Sequence, residues 1–197
     1  MRSAPVLIVF DLMDTLLTDP FQAAHEAACG MSFAEFETLR PDGLYHRLER
    51  GEVEEGEYWR GLVTSGLRWD TEEFHRTRRA GYAWIDGMRD LLVDCTARHR
   101  VAIGSNYPVW IDEVVGDHLA GLDVGVFASC RLGVRKPRPE FFERLAEQAG
   151  TAVTDLILVD DKKVNVDAVT AVGGTGVHFT TAAETRAALR TAGVAGV

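Results

Sequence analysis

Short runs of apolar residues recur along the chain, and polar or charged stretches separate them. Each run is four to seven residues long, and its apolar positions are continuous instead of alternating with polar ones. This pattern is typical of strands that are buried on both faces in a parallel sheet. The sequence predicts such strands at 6–10, 101–104, 123–129 and 156–159, with a weaker fifth at 176–179.

Helical patterns lie between most of these runs. The segment 139–149 has apolar residues at helical spacing, begins at Pro139 and is followed by Gly150, which are typical residues for a helix start and stop. Near the end of the chain, Thr181 and Glu184 have the spacing of a capping box. Because strands and helices alternate, we predict an α/β fold: a doubly wound, Rossmann-like parallel sheet.

Residues 19–82 break this alternation. They contain no convincing strand and are rich in charged and aromatic residues, with periodicity that indicates four or five short helices. We therefore predict a small all-helical cap at 19–82, inserted after the first strand. Residues 1–18 and 83–197 then form the α/β core.

Composition excludes several classes of protein. The chain has 197 residues and a formal net charge of -9, so it has no general basic surface for nucleic acid or anionic membranes. No apolar run approaches the ~18 residues of a membrane span, and we expect no signal peptide before the first strand. Its three scattered cysteines have neither zinc-site nor disulfide spacing, so we expect a cytoplasmic protein.

Polar side chains stand where four of the predicted strands end. Because ligands bind at the carboxyl ends of the strands in such folds, we expect these side chains to converge on one site. They are Asp11, Asp14 and Thr15 after the first strand, Ser105 and Asn106 after the second, Lys136 after the third, and Asp160, Asp161 and Asn165 after the fourth.

This set suits the transfer of a phosphoryl group. A carboxylate can attack phosphorus and form an aspartyl-phosphate. Carboxylates from two strand ends can hold Mg²⁺, which prefers oxygen ligands and reduces the repulsion between the nucleophile and an anionic substrate. Lys136 and Ser105 would supply charge and a hydrogen bond to the transferring oxygens.

Four stretches in order, "FDLMDTL", "IGSN", "KPRPEFF" and "VDDKKVNVDAVTAVG", resemble the four motifs of the haloacid dehalogenase superfamily of hydrolases. The resemblance covers the whole chain, and the insert at 19–82 resembles the helical cap that one subfamily carries after motif one. It implies an α/β hydrolase, most often a phosphatase, that uses Mg²⁺ and acts on a small phosphorylated molecule.

Carried over by motif, the resemblance gives each candidate a role. It makes Asp11 the nucleophile, Ser105 the motif-two hydroxyl and Lys136 the motif-three lysine. It assigns the metal to Asp11, Asp161 and the backbone carbonyl of Met13, with Asp160 beside them. We also predict that Thr15 and Asn106 contact the substrate.

Met13 departs from the pattern of the phosphatases, which have an aspartate there that protonates the leaving alcohol. One interpretation is a phosphatase in which Asp14, a residue of the cap or water replaces that acid. A second is a dehalogenase-like enzyme, since a halide leaves without a proton; it is weakened by Asp160 and Asp161, whose charges would repel Asp11 unless a metal were bound. A third is a protein without turnover that binds a phosphorylated ligand or a partner.

The segments "FDLMDTLLTDPF", "GYAWIDGM", "SNYPVW" and "RKPRPEFF" are similar to a branch of the family from plants and photosynthetic bacteria. Members of that branch also carry Met at this position, and one plastid member hydrolyses flavin mononucleotide. The resemblance makes flavin mononucleotide the leading named substrate.

Other side chains of the predicted cap are open to two interpretations. Aromatic residues such as Phe21, Phe33 and Tyr58 are more often cap core than a substrate platform, although a flavin ring would need one or two for stacking. His25 lies early in the cap and has the position of a residue that could face the site.

Overall fold

The computed structural model describes residues 6–197, and its centre is a five-stranded sheet in which all strands are parallel. The strand order is β3-β2-β1-β4-β5, so that β1 lies in the middle of the sheet. The strands are β1 (Leu7–Phe10), β2 (Arg100–Ser105), β3 (Gly125–Ala128), β4 (Leu156–Asp160) and β5 (Thr175–His178).

Burial explains why these segments form strands. Every residue of β1 and β4 is buried, as is all of β2 after its first residue, because helices cover both faces of the sheet. The predicted doubly wound α/β fold is confirmed, and each of the five predicted strands overlaps an observed one. The prediction that no signal peptide precedes β1 concerns residues 1–5, which lie outside the described residues.

Five helices without an intervening strand follow β1, and we name this segment, from α1 to α5, the helical insert. Its α2 begins with the capping box that Ser32 and Glu35 form. The helices are α1 (Phe21–Cys29), α2 (Phe33–Leu39), α3 (Leu44–Glu49), α4 (Glu55–Thr64) and α5 (Thr71–Gly81). The division of the chain into a core and a separate cap domain stays a prediction.

The remaining helices flank the sheet. Pro139 occupies the first turn of its helix, and Gly150 ends it in the left-handed conformation, as the sequence predicts. These helices are α6 (Met88–Thr96), α7 (Ile111–His118), α8 (Ser129–Leu132), α9 (Pro139–Ala149), α10 (Lys163–Ala171) and α11 (Ala182–Thr191), with a short 3₁₀ turn at Val153–Asp155.

Among residues 6–197, every helix is too short or too polar to traverse a lipid bilayer. The register of the sheet pairs Phe10 with Ile103 on one side and with Val159 on the other. The residues that follow β1, β2 and β4 therefore reach the same edge of the sheet, where a site would form.

Candidate active site

Asp11 lies at the centre of this edge, directly after β1. Its backbone N–H donates to the carbonyl of Val159 at 2.8 Å, which extends the pairing of β1 with β4 by one residue. The residue is only 5% exposed. Asp11 is thus a buried carboxylate held on a rigid strand end.

Lys136 bridges the two central strands. Its Nζ lies 2.9 Å from Asp11 Oδ1 and 2.5 Å from Asp160 Oδ2, and the side chain is 1% exposed. Asn106 holds the backbone of Lys136 from both sides, because its Oδ1 accepts from the Lys136 N–H at 2.8 Å and its Nδ2 donates to the Lys136 carbonyl at 2.9 Å. Asn106 therefore positions Lys136, in addition to lining the pocket described below.

Asp160 is fully buried and has several partners. Besides Lys136, Asn165 Nδ2 donates to its two oxygens at 2.9 and 3.1 Å, and the N–H of Lys162 donates to Oδ1 at 2.9 Å. Asp161 differs, since its Oδ1 is buried and has no hydrogen-bond partner in the described chain. An orphaned carboxylate oxygen of this kind needs a cation or a donor.

Asp11, Asp160 and Asp161 each place a carboxylate oxygen within 4.8 Å of the others. Lys136 compensates only part of this negative charge. The cluster and the free Oδ1 of Asp161 fit a hard divalent cation such as Mg²⁺, which takes oxygen ligands. Met13 is 7% exposed and lines the same pocket as Asp11.

Burial and charge act against each other on these groups. Burial raises the pKa of Asp11 to about 6, Lys136 opposes the shift, and Asp160 and Asp161 add to it. Burial alone would lower the pKa of Lys136, but Asp11 and Asp160 raise it, so the ammonium stays charged. A bound divalent cation would favour the ionised form of Asp11 that a nucleophile requires.

Asp14 and Thr15 do not line the pocket described below, and neither do the metal-ligand candidates Asp160 and Asp161. Asp14 is exposed, has a φ of 57°, and its Oδ1 accepts from the backbone N–H of Asp19 at 3.2 Å. Thr15 is fully buried, and its hydroxyl accepts from the backbone N–H of Asp161 at 3.1 Å. The geometry therefore does not support proton donation by Asp14 or substrate contact by Thr15, because both side chains hold the backbone of other residues.

A cavity of about 340 Å³ opens above the carboxylates, between the sheet edge and the helical insert. Asp11, Ser105 and Lys136 lie on its floor, and Ser105 is 2% exposed. The helical insert contributes a wall that is partly aromatic and partly charged. The insert residues of the wall are Phe21, Phe33, Glu37, Arg40, Tyr45, His46 and Glu49.

Several pocket residues are absent from the set that the sequence predicts. Glu49 of α3 is 4% exposed and lies 2.7 Å from Arg135, the residue before Lys136. Burial raises the pKa of Glu49 to about 7, although Arg135 opposes the shift. Asp19 lines the pocket from the loop that precedes α1. No periodicity or motif spacing identifies these residues, because their place depends on how the insert folds back over the sheet.

No model of a protein family matches the chain. The chain is 32% identical over 181 residues to flavin mononucleotide hydrolase 1 from Arabidopsis thaliana, which is named as chloroplastic; the match covers 90% of this chain and 73% of the plant protein. A sesquiterpene phosphatase from Aspergillus oryzae is 46% identical over 66 residues, which are 34% of each protein.

The fold is also found among solved structures. A haloacid dehalogenase family enzyme from Bacteroides thetaiotaomicron, in complex with magnesium and inorganic phosphate, superposes with a TM-score of 0.73 and 16% identity. The match covers 90% of this chain and 96% of that one. At this identity the likeness concerns the fold alone.

Proposed function

The chain belongs to the haloacid dehalogenase superfamily of hydrolases, and from this premise we propose that it is a metal-dependent phosphohydrolase of a small phosphorylated metabolite. One observation carries the proposal: Lys136 bridges Asp11 and Asp160 beside the unpartnered oxygen of Asp161. A nucleophilic carboxylate, a cation and a free metal ligand are what transfer of a phosphoryl group to an aspartate requires.

In this mechanism, an Asp11 oxygen attacks the phosphorus, and the bond from phosphorus to the leaving oxygen breaks. Water then attacks the phosphorus of the aspartyl-phosphate, which releases inorganic phosphate and restores Asp11. Ser105 and Lys136 donate hydrogen bonds to the phosphoryl oxygens. Mg²⁺, held by Asp11, Asp161 and the carbonyl of Met13, with Asp160 beside it, would neutralise charge that builds up on those oxygens.

A dehalogenase is less consistent with the same residues. A reaction that displaces a halide from carbon needs no metal, and without one the three carboxylates would remain within 4.8 Å of each other with Lys136 as the only bridging cation described. Burial raises the pKa of Asp11, and Asp160 and Asp161 add to the shift that Lys136 opposes, so Asp11 without a metal would be a poorer nucleophile.

The leading substrate candidate is flavin mononucleotide. It is supported by the name of the plant relative and by the wall of the pocket, in which Phe21 and Tyr45 pack with ring centroids 4.6 Å apart. Aromatic side chains of this kind favour a flat ring system. We further propose that residues 19–82 act as a cap, whose wall selects the substrate and excludes water from the aspartyl-phosphate.

A phosphate-release panel tests the proposal. Purified protein is given flavin mononucleotide, sugar phosphates, nucleotides and an aryl phosphate, with Mg²⁺ or with excess chelator, while a 2-haloacid is assayed for halide release. We expect phosphate release that requires Mg²⁺ and no halide. Halide release without metal would favour the dehalogenase, and release of neither product would favour a protein that only binds its ligand.

A further inference from the structure

Met13 leaves the pocket without the acid that the proposed reaction needs when the leaving group is an alcohol. A thioether cannot give a proton to an alkoxide, and alkyl phosphates are slow to react without one. Apart from Asp11, three carboxylic acids line the pocket in the described chain: Asp19, Glu37 and Glu49. One of them can supply the proton only if its carboxyl group has an oxygen that no other residue engages.

Two of the three acids are already paired with an arginine. Arg40 Nε lies 2.6 Å from Glu37, and Arg135 Nε lies 2.7 Å from Glu49 Oε2, an ion pair in which neither of these two atoms makes a hydrogen bond. Asp19 has no such ion pair among the described residues. Its Oδ1 accepts from the N–H of Phe21 at 3.0 Å, and no protein donor reaches its Oδ2 within residues 6–197. Asp19 thus presents a free carboxyl oxygen.

The loop after β1 brings Asp19 back beside Met13. The N–H groups of Leu16 and Leu17 both donate to the carbonyl of Leu12 at 2.9 Å, which closes a tight turn. Leu17 then forms a β-bridge with Met13, so that the chain leading to Asp19 runs next to it. Asp14 fixes the backbone of Asp19, since the Asp14 side chain accepts from the N–H of Asp19.

We propose that Asp19 is the general acid of the reaction and replaces the acid that is missing at Met13. The proposal rests on the phosphohydrolase function above and assigns a step within it. As Asp11 forms its bond to phosphorus, the carboxyl proton of Asp19 passes to the leaving oxygen, and the alcohol departs neutral. The Asp19 carboxylate then takes a proton from the attacking water, whose oxygen joins phosphorus as Asp11 is released.

The surroundings of Asp19 shift its pKa upward, which is the direction that a proton donor needs. Asp19 is exposed to solvent, but enough protein surrounds its carboxyl group for burial to raise its pKa; the N–H of Phe21 opposes the shift. The charged and titratable groups that interact with it lie at the sheet edge, on α3, directly after α5 and shortly before α7. They are Asp14, Asp161, Lys162, Tyr45, Glu49, Tyr82 and Tyr107.

The test compares an alkyl and an aryl phosphate, because only the alkyl leaving group needs a proton. Asp19→Asn keeps the acceptor for the N–H of Phe21 and removes the acid. We expect kcat/KM for the alkyl substrate to fall at least about a hundredfold, and for the aryl substrate less than about threefold. For wild type, the alkyl rate should decline on the basic side as Asp19 ionises, and this decline should be missing in Asp19→Asn.

Glu49→Gln is the matched control, since Glu49 is a second acid of the same pocket. Glu49→Gln should change kcat/KM for the alkyl and the aryl substrate by the same factor. In the Asp19→Asn background, Met13→Asp should restore the alkyl reaction, which a merely structural role of Asp19 would not allow.

Three results would be contrary to the proposal. Equal losses on both substrates in Asp19→Asn would make Asp19 a structural residue. An unchanged alkyl reaction would remove it from catalysis, and a selective alkyl loss in Glu49→Gln would assign the proton to Glu49. Wild type that hydrolyses neither substrate would contradict the phosphohydrolase function itself, which is a separate outcome.

Discussion

Asp161 shows how single residues build the metal site. The backbone N–H of Asp161 donates to the hydroxyl of Thr15, so that the loop after β1 fixes the residue after β4. Its Oδ1 remains buried without a partner, and burial is the main reason that its pKa is raised. A cation at this oxygen would supply the missing partner and favour the ionised carboxylate. A cation that binds only the folded state also stabilises the fold.

Mg²⁺ should therefore raise the thermal stability of the protein in the absence of substrate. At a concentration of about 100 times the Kd, mass action gives about 2.7 kcal/mol of stabilisation. Asp161→Asn should lose most of the rise in Tm. Asp167→Asn is the control, because Asp167 is exposed and pairs with Lys163 at 2.6 Å; its Tm should rise as in wild type. A full rise in Asp161→Asn would place the cation elsewhere.

Sequence patterns locate residues at strand ends better than residues in turns. Asp11, Ser105, Lys136 and Asp161 are brought together because each follows or lies near the carboxyl end of a parallel strand. The loop after β1 is different. Its direction depends on the positive φ of Asp14, which turns that side chain away from the pocket and which no sequence pattern reveals.

At the scale of elements, α1 carries a buried histidine that the sequence suggests could face the site. His25 is instead fully buried within the insert. Its Nδ1 lies 2.6 Å from the carbonyl of Phe21, and its Nε2 lies 3.0 Å from the hydroxyl of Tyr58. Burial lowers the pKa of His25 to about 4, the carbonyl of Phe21 opposes this shift, and the charge of Arg40 adds to it. A neutral imidazole thus joins α1 to α4.

This histidine should make the stability of the fold depend on pH. Because its pKa is lowered, the unfolded chain takes up a proton between about pH 6.5 and 4 and the folded chain does not. The contribution of His25 to the free energy of unfolding is complete above pH 6.5. About 3 kcal/mol of that contribution is lost as the pH falls to 4.

Urea unfolding of wild type and His25→Gln at pH 7 and at pH 4.5 measures this contribution. The difference in the free energy of unfolding between the two proteins should be smaller at pH 4.5 than at pH 7. Glu49, with its raised pKa, contributes stability that is lost as the pH rises from 4.5 to 7. This opposite effect is present in both proteins and cancels in the difference. An unchanged difference would contradict a neutral, buried His25.

The strands could be predicted from the sequence because burial on two faces leaves continuous apolar runs. The bounds of α9 could be predicted because Pro139 and Gly150 mark its ends. The observed boundaries of the strands differ from the predicted ones by at most two residues. The role of the aromatic residues was not accessible. Phe21 and Phe33 line the pocket while Tyr58 is buried at 1% exposure, and the helical pattern treats all three alike.

In the whole molecule, α7 and Trp110, the residue before it, contact the helical insert. Trp110 stacks on Trp59 with ring centroids 5.6 Å apart and an interplanar angle of 9°, and its Nε1 donates to Glu55 at 2.6 Å. Glu113 accepts from Arg79 at 2.6 Å. These contacts lie outside the catalytic cluster, so they set the position of the pocket wall without taking part in chemistry. The sequence predicted the insert but not which of its faces meets the sheet.

The proposed reaction requires Asp11 to act as a nucleophile together with a divalent cation. The most direct measurement is phosphate release from an aryl phosphate by wild type and by Asp11→Asn, with Mg²⁺ and with excess chelator. An aryl phosphate is used because its leaving group needs no proton, and the result is then independent of Asp19. Circular dichroism checks that the variant is folded.

We expect phosphate release by wild type with Mg²⁺ and only the buffer background in the other three conditions. Asn keeps the shape of the side chain but removes the anionic oxygen that must bond to phosphorus. Release by Asp11→Asn at a rate near that of wild type would exclude Asp11 as the nucleophile, and undiminished release by wild type in excess chelator would exclude the need for a divalent cation.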